Sequence, residues 1–332
     1  MNLQDQLEHH PRAYMGHLPT ALEPMKNLGA QLGSELWVKR DDCTGIALGG
    51  NKVRQLEFYL GKAQAMSATQ VLITGAVQSN FVRTAAAMAA RLGMGCHIQL
   101  EDRLPDKDAL YRQNGNVILN RLLGAVLHSY PDGEDEAGAD AQLRVIAQGL
   151  SDQGQVPFIV PLAADHPPIG ALGYVDAAIE LLTQEERFDE IFVASGSALT
   201  HCGLLFGLRA MGDQTSVTGV CVRRKADIQT ARVRQRLDDL ADLLDIENPV
   251  QLKDIRLEDA ALGPGYGQMS EALRAAIKQT AKAEGLILDP VYTGKVMAGL
   301  MAQADRLAGK RVLFWHTGGQ PALFAYSDLL DA

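Results

Sequence analysis

Val71-Leu72-Ile73-Thr74, then Gly75-Ala76-Val77-Gln78-Ser79-Asn80, then an alanine-rich run from Phe81 to Leu92 set the architecture of this 332-residue chain. A short apolar and β-branched run that stops at glycine predicts a buried strand. The polar residues after it open a helix that Ser79 or Asn80 can cap. The same strand–loop–helix unit recurs along the chain. Further strands are predicted over 35–40, 96–100, 125–128, 157–160, 190–194, 217–222 and 311–314. Further helices are predicted over 53–68, 108–123, 134–150, 170–182, 201–211, 225–244, 270–283, 293–307 and 321–329. Short strands each followed by a helix imply right-handed crossovers and a mostly parallel sheet, the α/β class. Ligands in such sheets bind beyond the strands' carboxyl ends, so chemistry is expected after Arg40, Thr74, Ala194 and Phe314.

Composition narrows the function classes. Hydrophobic residues make up 47% and charged residues 21%, as in an ordinary soluble globular protein of two domains or one large one. A net charge of −9 argues against a nucleic-acid or anionic-membrane partner. No long apolar run predicts a membrane span, and Met1 to Arg12 carries no secretory h-region. Cys43, Cys96, Cys202 and Cys221 form no C-x-x-C pair and no zinc spacing, so free thiols in a reducing, cytoplasmic compartment and no metal are expected. The prolines in Ala163-Ala164-Asp165-His166-Pro167-Pro168 make that segment the expected crossing between lobes.

Four loops could carry chemistry. In Gly49-Gly50-Asn51-Lys52-Val53-Arg54 the glycines allow a tight turn, and Lys52 falls at the start of a helix. The positive end of the helix dipole favours a neutral amine, and a neutral amine attacks aldehydes. Lys52 is thus a candidate Schiff-base lysine for pyridoxal phosphate (PLP); an exposed lysine in a polar first turn is the plain alternative. Ser195-Gly196-Ser197-Ala198-Leu199-Thr200 joins a strand to a helix. Its small residues let backbone N–H groups converge into a phosphate cradle, although a turn capped by Thr200 reads equally well. There is no G-x-G-x-x-G or Walker lysine here. Gln78-Ser79-Asn80 offers polar groups for a carboxylate or ring oxygen. Tyr292, in Asp289-Pro290-Val291-Tyr292-Thr293-Gly294-Lys295, and Tyr266, in Gly263-Pro264-Gly265-Tyr266-Gly267, are candidate proton donors, with Thr293 as a helix cap. Thr317, in His316-Thr317-Gly318-Gly319, places a hydroxyl at a strand end. No Ser/His/Asp triad is visible. His201 reads as a site residue or a helix-interior one, and Asp41-Asp42 as turn caps rather than a metal pair.

Taken in order, these loops resemble the fold type II PLP enzymes (tryptophan synthase β-like), specifically the family of D-cysteine desulfhydrase, 1-aminocyclopropane-1-carboxylate (ACC) deaminase and L-cysteate sulfo-lyase. The resemblance also draws on Gly16-His17-Leu18-Pro19-Thr20, Leu36-Trp37-Val38-Lys39-Arg40-Asp41-Asp42 and Gly170-Ala171-Leu172-Gly173-Tyr174, and covers nearly the whole chain. It implies two open parallel-sheet domains with helices on both faces, residues 1–51 and 163–332 forming the large PLP-binding domain and 52–162 the small one. It implies that Lys52 forms the Schiff base, that Asn80 partners the ring hydroxyl, and that Ser195, Gly196, Ser197, Ala198, Leu199 and Thr200 hold the phosphate. Gln78, Ser79 and Asn80 resemble the groups receiving the substrate, with Ser79 a proton shuttle; Tyr266 and Tyr292 resemble the pair facing it. Thr317 resembles the neutral hydroxyl near the pyridine nitrogen, a weaker electron sink that suits elimination.

The implied activity is β-elimination of a sulfur leaving group: D-cysteine to pyruvate, sulfide and ammonia, or L-cysteate to pyruvate, sulfite and ammonia. Thr293 and Thr317 stand where ACC deaminases carry Glu and Leu, which argues against ring opening. Phe81, Leu199 and Asp165-His166-Pro167-Pro168 depart from the desulfhydrase pattern, which tilts the reading toward L-cysteate. A catalytically silent PLP- or amino-acid-binding protein and a β-replacement synthase are the competing readings. The family also suggests a homodimer.

Overall fold

The computed structural model describes residues 3–161, 166–184 and 186–329. Ten strands run in chain order as β1 (Leu22–Pro24), β2 (Glu35–Lys39), β3 (Gln70–Ala76), β4 (Gly95–Glu101) and β5 (Val126–Tyr130), then β6 (Pro157–Val160), β7 (Glu190–Ser195), β8 (Ser216–Cys221), β9 (Arg256–Glu258) and β10 (Arg311–Trp315). They form a six-stranded sheet, β1-β2-β10-β7-β8-β9, and a four-stranded sheet, β5-β4-β3-β6. Every pairing is parallel except β1 with β2, where Leu22 lies opposite Lys39.

Both sheets are covered on both faces, which is why their strands read as nearly continuous apolar runs. In β3, Val71 and Ile73 pack with Val82, Ala85 and Ala89 of the helix Asn80–Arg91, while Leu72 packs with Leu143 and Ala147 of the helix Glu136–Asp152. In the larger sheet, Leu313 and Trp315 face the helices Leu172–Thr183 and Leu199–Ala210; Val312 and Phe314 face Glu271–Glu284 and Thr293–Met301. That alternation is the period-2 pleat of β10. No helix among the described residues is long and apolar enough to cross a membrane.

Several expectations are corrected. The run 108–123 is two helices, Ala109–Gln113 and Asn116–Leu122. Between them Gly115 sits at φ +60°, where a Cβ would lie 2.5 Å from Gln78 Oε1. The run 293–307 divides into Thr293–Met301 and Ala304–Leu307, and the final helix is 3₁₀ over Gln320–Ala325 and Ser327–Leu329. At three residues each, β1 and β9 are too short to show alternation and are absent from the sequence reading. Residues 163–165 of the expected crossing, and the 162/163 domain limit, lie outside the described residues.

Candidate active site

β2 and β10 pair in parallel with Lys39 opposite Trp315, so the glycine turns that follow their carboxyl ends meet. Gly50 (φ +113°) and Gly318 (φ +82°) approach so closely that a Cβ on Gly318 would lie 2.7 Å from Gly50 Cα. Asn51 N donates to Thr317 O at 3.0 Å. Lys52 is the first residue of the helix Lys52–Ala65 and lines one cavity together with Thr317. Its Nζ donates to Gln55 Oε1 at 3.2 Å and lies 5.5 Å from the Phe81 ring centre. Burial lowers its pKa to about 8. The expected neutral-amine bias is therefore present, but its cause is desolvation, where the sequence argument rested on the helix field.

In the loop after β7, Ala198 takes φ +77° at the N-cap of the helix Leu199–Ala210. A left-handed residue opening a helix turns successive N–H groups toward one point, an anion nest. Thr200 Oγ1 accepts from Asn51 Nδ2 at 2.9 Å and Gln55 Nε2 at 2.8 Å. With both lone pairs engaged, its proton is left to donate to an anion in the cavity. Gly196, Ser197 and Ala198 line the same cavity. Ser195 does not: it is fully buried, its Oγ accepting from Gln229 Nε2 at 2.9 Å and lying 3.3 Å from His201 Nδ1. Both Ser195 and His201 are thus parts of the packing beneath the loop.

After β3, Ser79 caps the helix Asn80–Arg91, its Oγ accepting from Phe81 N at 3.2 Å, and it lines the main cleft. Asn80 Oδ1 accepts from Arg83 Nη1 and Asn116 Nδ2, both at 3.0 Å, so the amide is oriented with Nδ2 as the donor left for a ring oxygen. Gln78 is tied up elsewhere. Its Nε2 donates to Tyr111 O at 2.5 Å and Asn114 O at 2.9 Å, and its Oε1 accepts from Asn116 N at 2.9 Å, closing the broken helix. We therefore remove its side chain from the expected substrate contacts.

Tyr266 and Tyr292 meet hydroxyl to hydroxyl at 2.9 Å and line the cleft with Lys52 and Ser79. Burial, then Tyr266, raises the Tyr292 pKa well above the usual phenol value, so its proton is retained. Thr293 is the first helical residue, not the cap, which is Tyr292; the Asp289 carboxylate holds this turn, accepting from Val291 N, Tyr292 N, Thr293 N and Thr293 Oγ1 at 2.7–2.9 Å. Thr293 is fully buried in that turn and lines neither cavity, so of the two threonines that distinguish this chain from ACC deaminases, Thr317 is the one at the cavity.

Sequence reasoning missed Gln55, which links Lys52 to Thr200, and Arg83, a buried cation that orients Asn80. It also missed Arg223 and Arg224, which line the cleft just past the end of β8; the strand-end rule applied to the other loops points to them.

These groups fit PLP. A cleft adjoins a smaller cavity that shares Lys52, Gly196, Ser197 and Tyr292 with it, and a low-pKa lysine, an anion nest, an amide donor and a hydroxyl line the two. The chain is 41% identical to a D-cysteine desulfhydrase of Serratia proteamaculans (strain 568), over 98% of this chain and 99% of that one. It is 40% identical to the D-cysteine desulfhydrase of Klebsiella pneumoniae, with the same coverage. The crystal structure of an ACC deaminase homologue superposes with a TM-score of 0.90 at 33% identity, covering 99% of this chain and 98% of that one. A tomato (Solanum lycopersicum) threonine deaminase, at 16% identity and a TM-score of 0.66 over 96% of this chain and 83% of that one, shares the fold. A family profile matches residues 14–318, and with it the chain belongs to the pyridoxal-phosphate dependent enzymes, of the fold type II architecture.

Proposed function

We propose that the chain is a carbon–sulfur lyase that eliminates a sulfur leaving group from Cβ of a cysteine-like amino acid, yielding pyruvate and ammonia. One observation carries this: the depressed amine of Lys52 shares a single cleft with Ser79 and the Tyr266–Tyr292 pair. The relatives named D-cysteine desulfhydrase support the same reaction class.

Bound PLP supplies the electron sink that acidifies the substrate's Cα–H. The nest at 196–200, with Thr200 Oγ1, would hold the phosphate of bound PLP, Asn80 Nδ2 would offer a donor to its ring oxygen, and Thr317 would provide a neutral neighbour for its ring nitrogen. Lys52 takes the Cα proton, its pKa near 8 suiting a general base at neutral pH. Ser79, whose oxygen is held by the helix N-terminus, donates its proton to the substrate carboxylate. Where the leaving group is a thiolate, the tyrosine pair would hand a proton to the departing sulfide. We assign residues 52–162 to a small domain, since every strand of the four-stranded sheet falls there; the family resemblance alone supports the proposal that the enzyme works as a homodimer.

Pyruvate release from D-cysteine, L-cysteate, L-cysteine and ACC, measured side by side, tests the class. Turnover is expected from a sulfur amino acid and not from ACC. Lys52→Ala should abolish it; retention of most turnover by that variant would sink the scheme.

A further inference from the structure

Six cationic side chains, Lys52, Arg103, Arg223, Arg224, Arg232 and Arg236, line the cleft against one carboxylate, Glu136. This is an unusual local excess in a chain of net charge −9. Arg103 is paired with Glu101 and Arg236 with Asp239. The remaining three arginines converge on Glu136. Arg223 and Arg224 each reach its Oε1 at 2.8 Å, and Arg232 Nη1 lies 3.5 Å from its Oε2. Arg223 has a second partner in Glu134, but that side chain is 79% exposed while the three arginines are 9%, 18% and 13% exposed.

The placement is as informative as the charge. Arg224 Nη1 lies 3.4 Å from Gly196 O and Arg232 Nε 3.5 Å from Ser197 O, beside the nest and within the cleft that holds Lys52 and the tyrosines. Burial, and then like charge from neighbouring arginines, pulls Arg224 and Arg232 below the ordinary guanidinium pKa. Three largely enclosed guanidinium groups share Glu136, with exposed Glu134 as a second carboxylate on Arg223, and so keep a net positive charge that a further anion would balance. Guanidinium forks match the geometry of a tetrahedral oxyanion.

We propose that Arg223, Arg224 and Arg232 form an anion subsite that receives a sulfonate carried on the substrate's Cβ, displacing Glu136. The proposal rests on the lyase reading above and names its leaving group as sulfite. In the elimination a proton leaves Cα, the Cα=Cβ bond forms, and the Cβ–S bond breaks with its electron pair staying on sulfur. The sulfonate, with one negative charge, departs as sulfite with two; water then hydrolyses the enamine to pyruvate and ammonium. Because charge grows on the departing group, the arginines hold the transition state more tightly than the bound substrate.

The test uses the PLP-loaded enzyme and its Arg224→Gln, Arg232→Gln and Glu136→Gln variants. Inorganic sulfite binding is measured by calorimetry, turnover of L-cysteate and D-cysteine by pyruvate release, and cofactor retention by visible absorbance. The arginine variants should lose about 10- to 100-fold in sulfite affinity and in the cysteate-to-cysteine ratio of kcat/KM. Glu136→Gln, which removes the competing carboxylate, should tighten sulfite binding; a collapsed cleft would move all three variants the same way. Equal sulfite affinity in wild type and arginine variants overturns the subsite, as does cofactor loss with sulfite affinity intact. Sulfite binding that depends on the arginines, with no pyruvate from any sulfur amino acid, would uphold the subsite and refute the lyase reading.

Discussion

Lys52 titrates near 8, against an ordinary 10.5, because it is desolvated and its bonded partner, Gln55 Oε1, is neutral. The sign of the consequence follows. Between pH 8 and 10.5 the unfolded chain holds a proton that the folded one has shed, so the stability of the cofactor-free protein rises with pH across that window. The neutral amine is also the form that captures an aldehyde. The rate at which cofactor-free protein takes up PLP should therefore climb about tenfold per pH unit below 8 and level off above it. A rate that kept climbing to pH 10 in absorbance-monitored reconstitution would show an ordinary, unshifted lysine. The lysine and the helix start were legible in Gly49-Gly50-Asn51-Lys52. The cause of the shift was not, because Phe81 and the loop after β7 close over the amine only once both sheets have formed. Ser195 shows the opposite failure. Its position in a small-residue loop suggested a hydroxyl donor, but its side chain points to Gln229 and His201, on helices whose packing the loop sequence does not encode.

Helices were read well where apolar periodicity alone sets their limits and poorly where a distant side chain ends them. Asn80–Arg91 and Lys52–Ala65 fall within a few residues of expectation. The run 108–123 breaks because Gln78, more than thirty residues away, bonds the carbonyls of Tyr111 and Asn114. The helix Thr293–Met301 carries a tether of the same kind. Lys295 Nζ donates to Leu262 O at 2.7 Å and Gly265 O at 2.6 Å, fastening the loop that presents Tyr266. That loop contains three glycines in five residues, and besides this tether it is held by Tyr326 OH, which donates to Gly267 O at 3.0 Å. Lys295→Met should leave both carbonyls unpaired and let Tyr266 drift from Tyr292. The expected result is a fall in kcat of about 10²-fold, as for an ångström-scale misplacement, with far-UV circular dichroism unchanged. Hydrogen exchange over 262–267 separates this from a general loss of fold: protection should drop there and hold in β7 and β10. Unchanged exchange in that loop would refute the tether.

The two halves of the site are joined beneath the cleft by a buried charge network. Asp41, read from sequence as a turn cap, is fully buried; its carboxylate accepts from Arg54 Nη2 and Nε at 3.0 Å, Tyr174 OH at 2.6 Å, Trp315 Nε1 at 2.8 Å and Thr20 Oγ1 at 2.8 Å. Arg54 also reaches Glu180 at 2.9 Å, and Glu180 reaches Lys39 at 2.5 Å. The network therefore ties β2, the Lys52 helix, the helix Leu172–Thr183 and β10 to one another. Arg54 lies two residues after Lys52 and Trp315 two before Thr317, so one carboxylate sets the spacing between the amine and the hydroxyl that line the same cavity. Each of these residues was visible in the sequence, but burial of Asp41 is a property of four elements meeting. Asp41→Asn keeps the shape and removes the charge that balances Arg54, which should cost about 3–5 kcal/mol. Burial opposes ionisation of Asp41 and Glu180, but Arg54 overcomes it and holds both carboxyls below their ordinary 3.8 and 4.5. Their contribution is thus full above about pH 4.5 and is lost as the pH falls through the folded values. Acid unfolding of wild type should steepen below pH 4.5, and the Asp41→Asn variant, already lacking one of these carboxylates, should show a smaller loss between pH 5 and 3. PLP affinity should weaken together with the unfolding midpoint, since Lys52 and Thr317 lose their common anchor. A variant that unfolds at the wild-type midpoint and binds PLP as tightly would show that the spacing is held by the glycine turns alone.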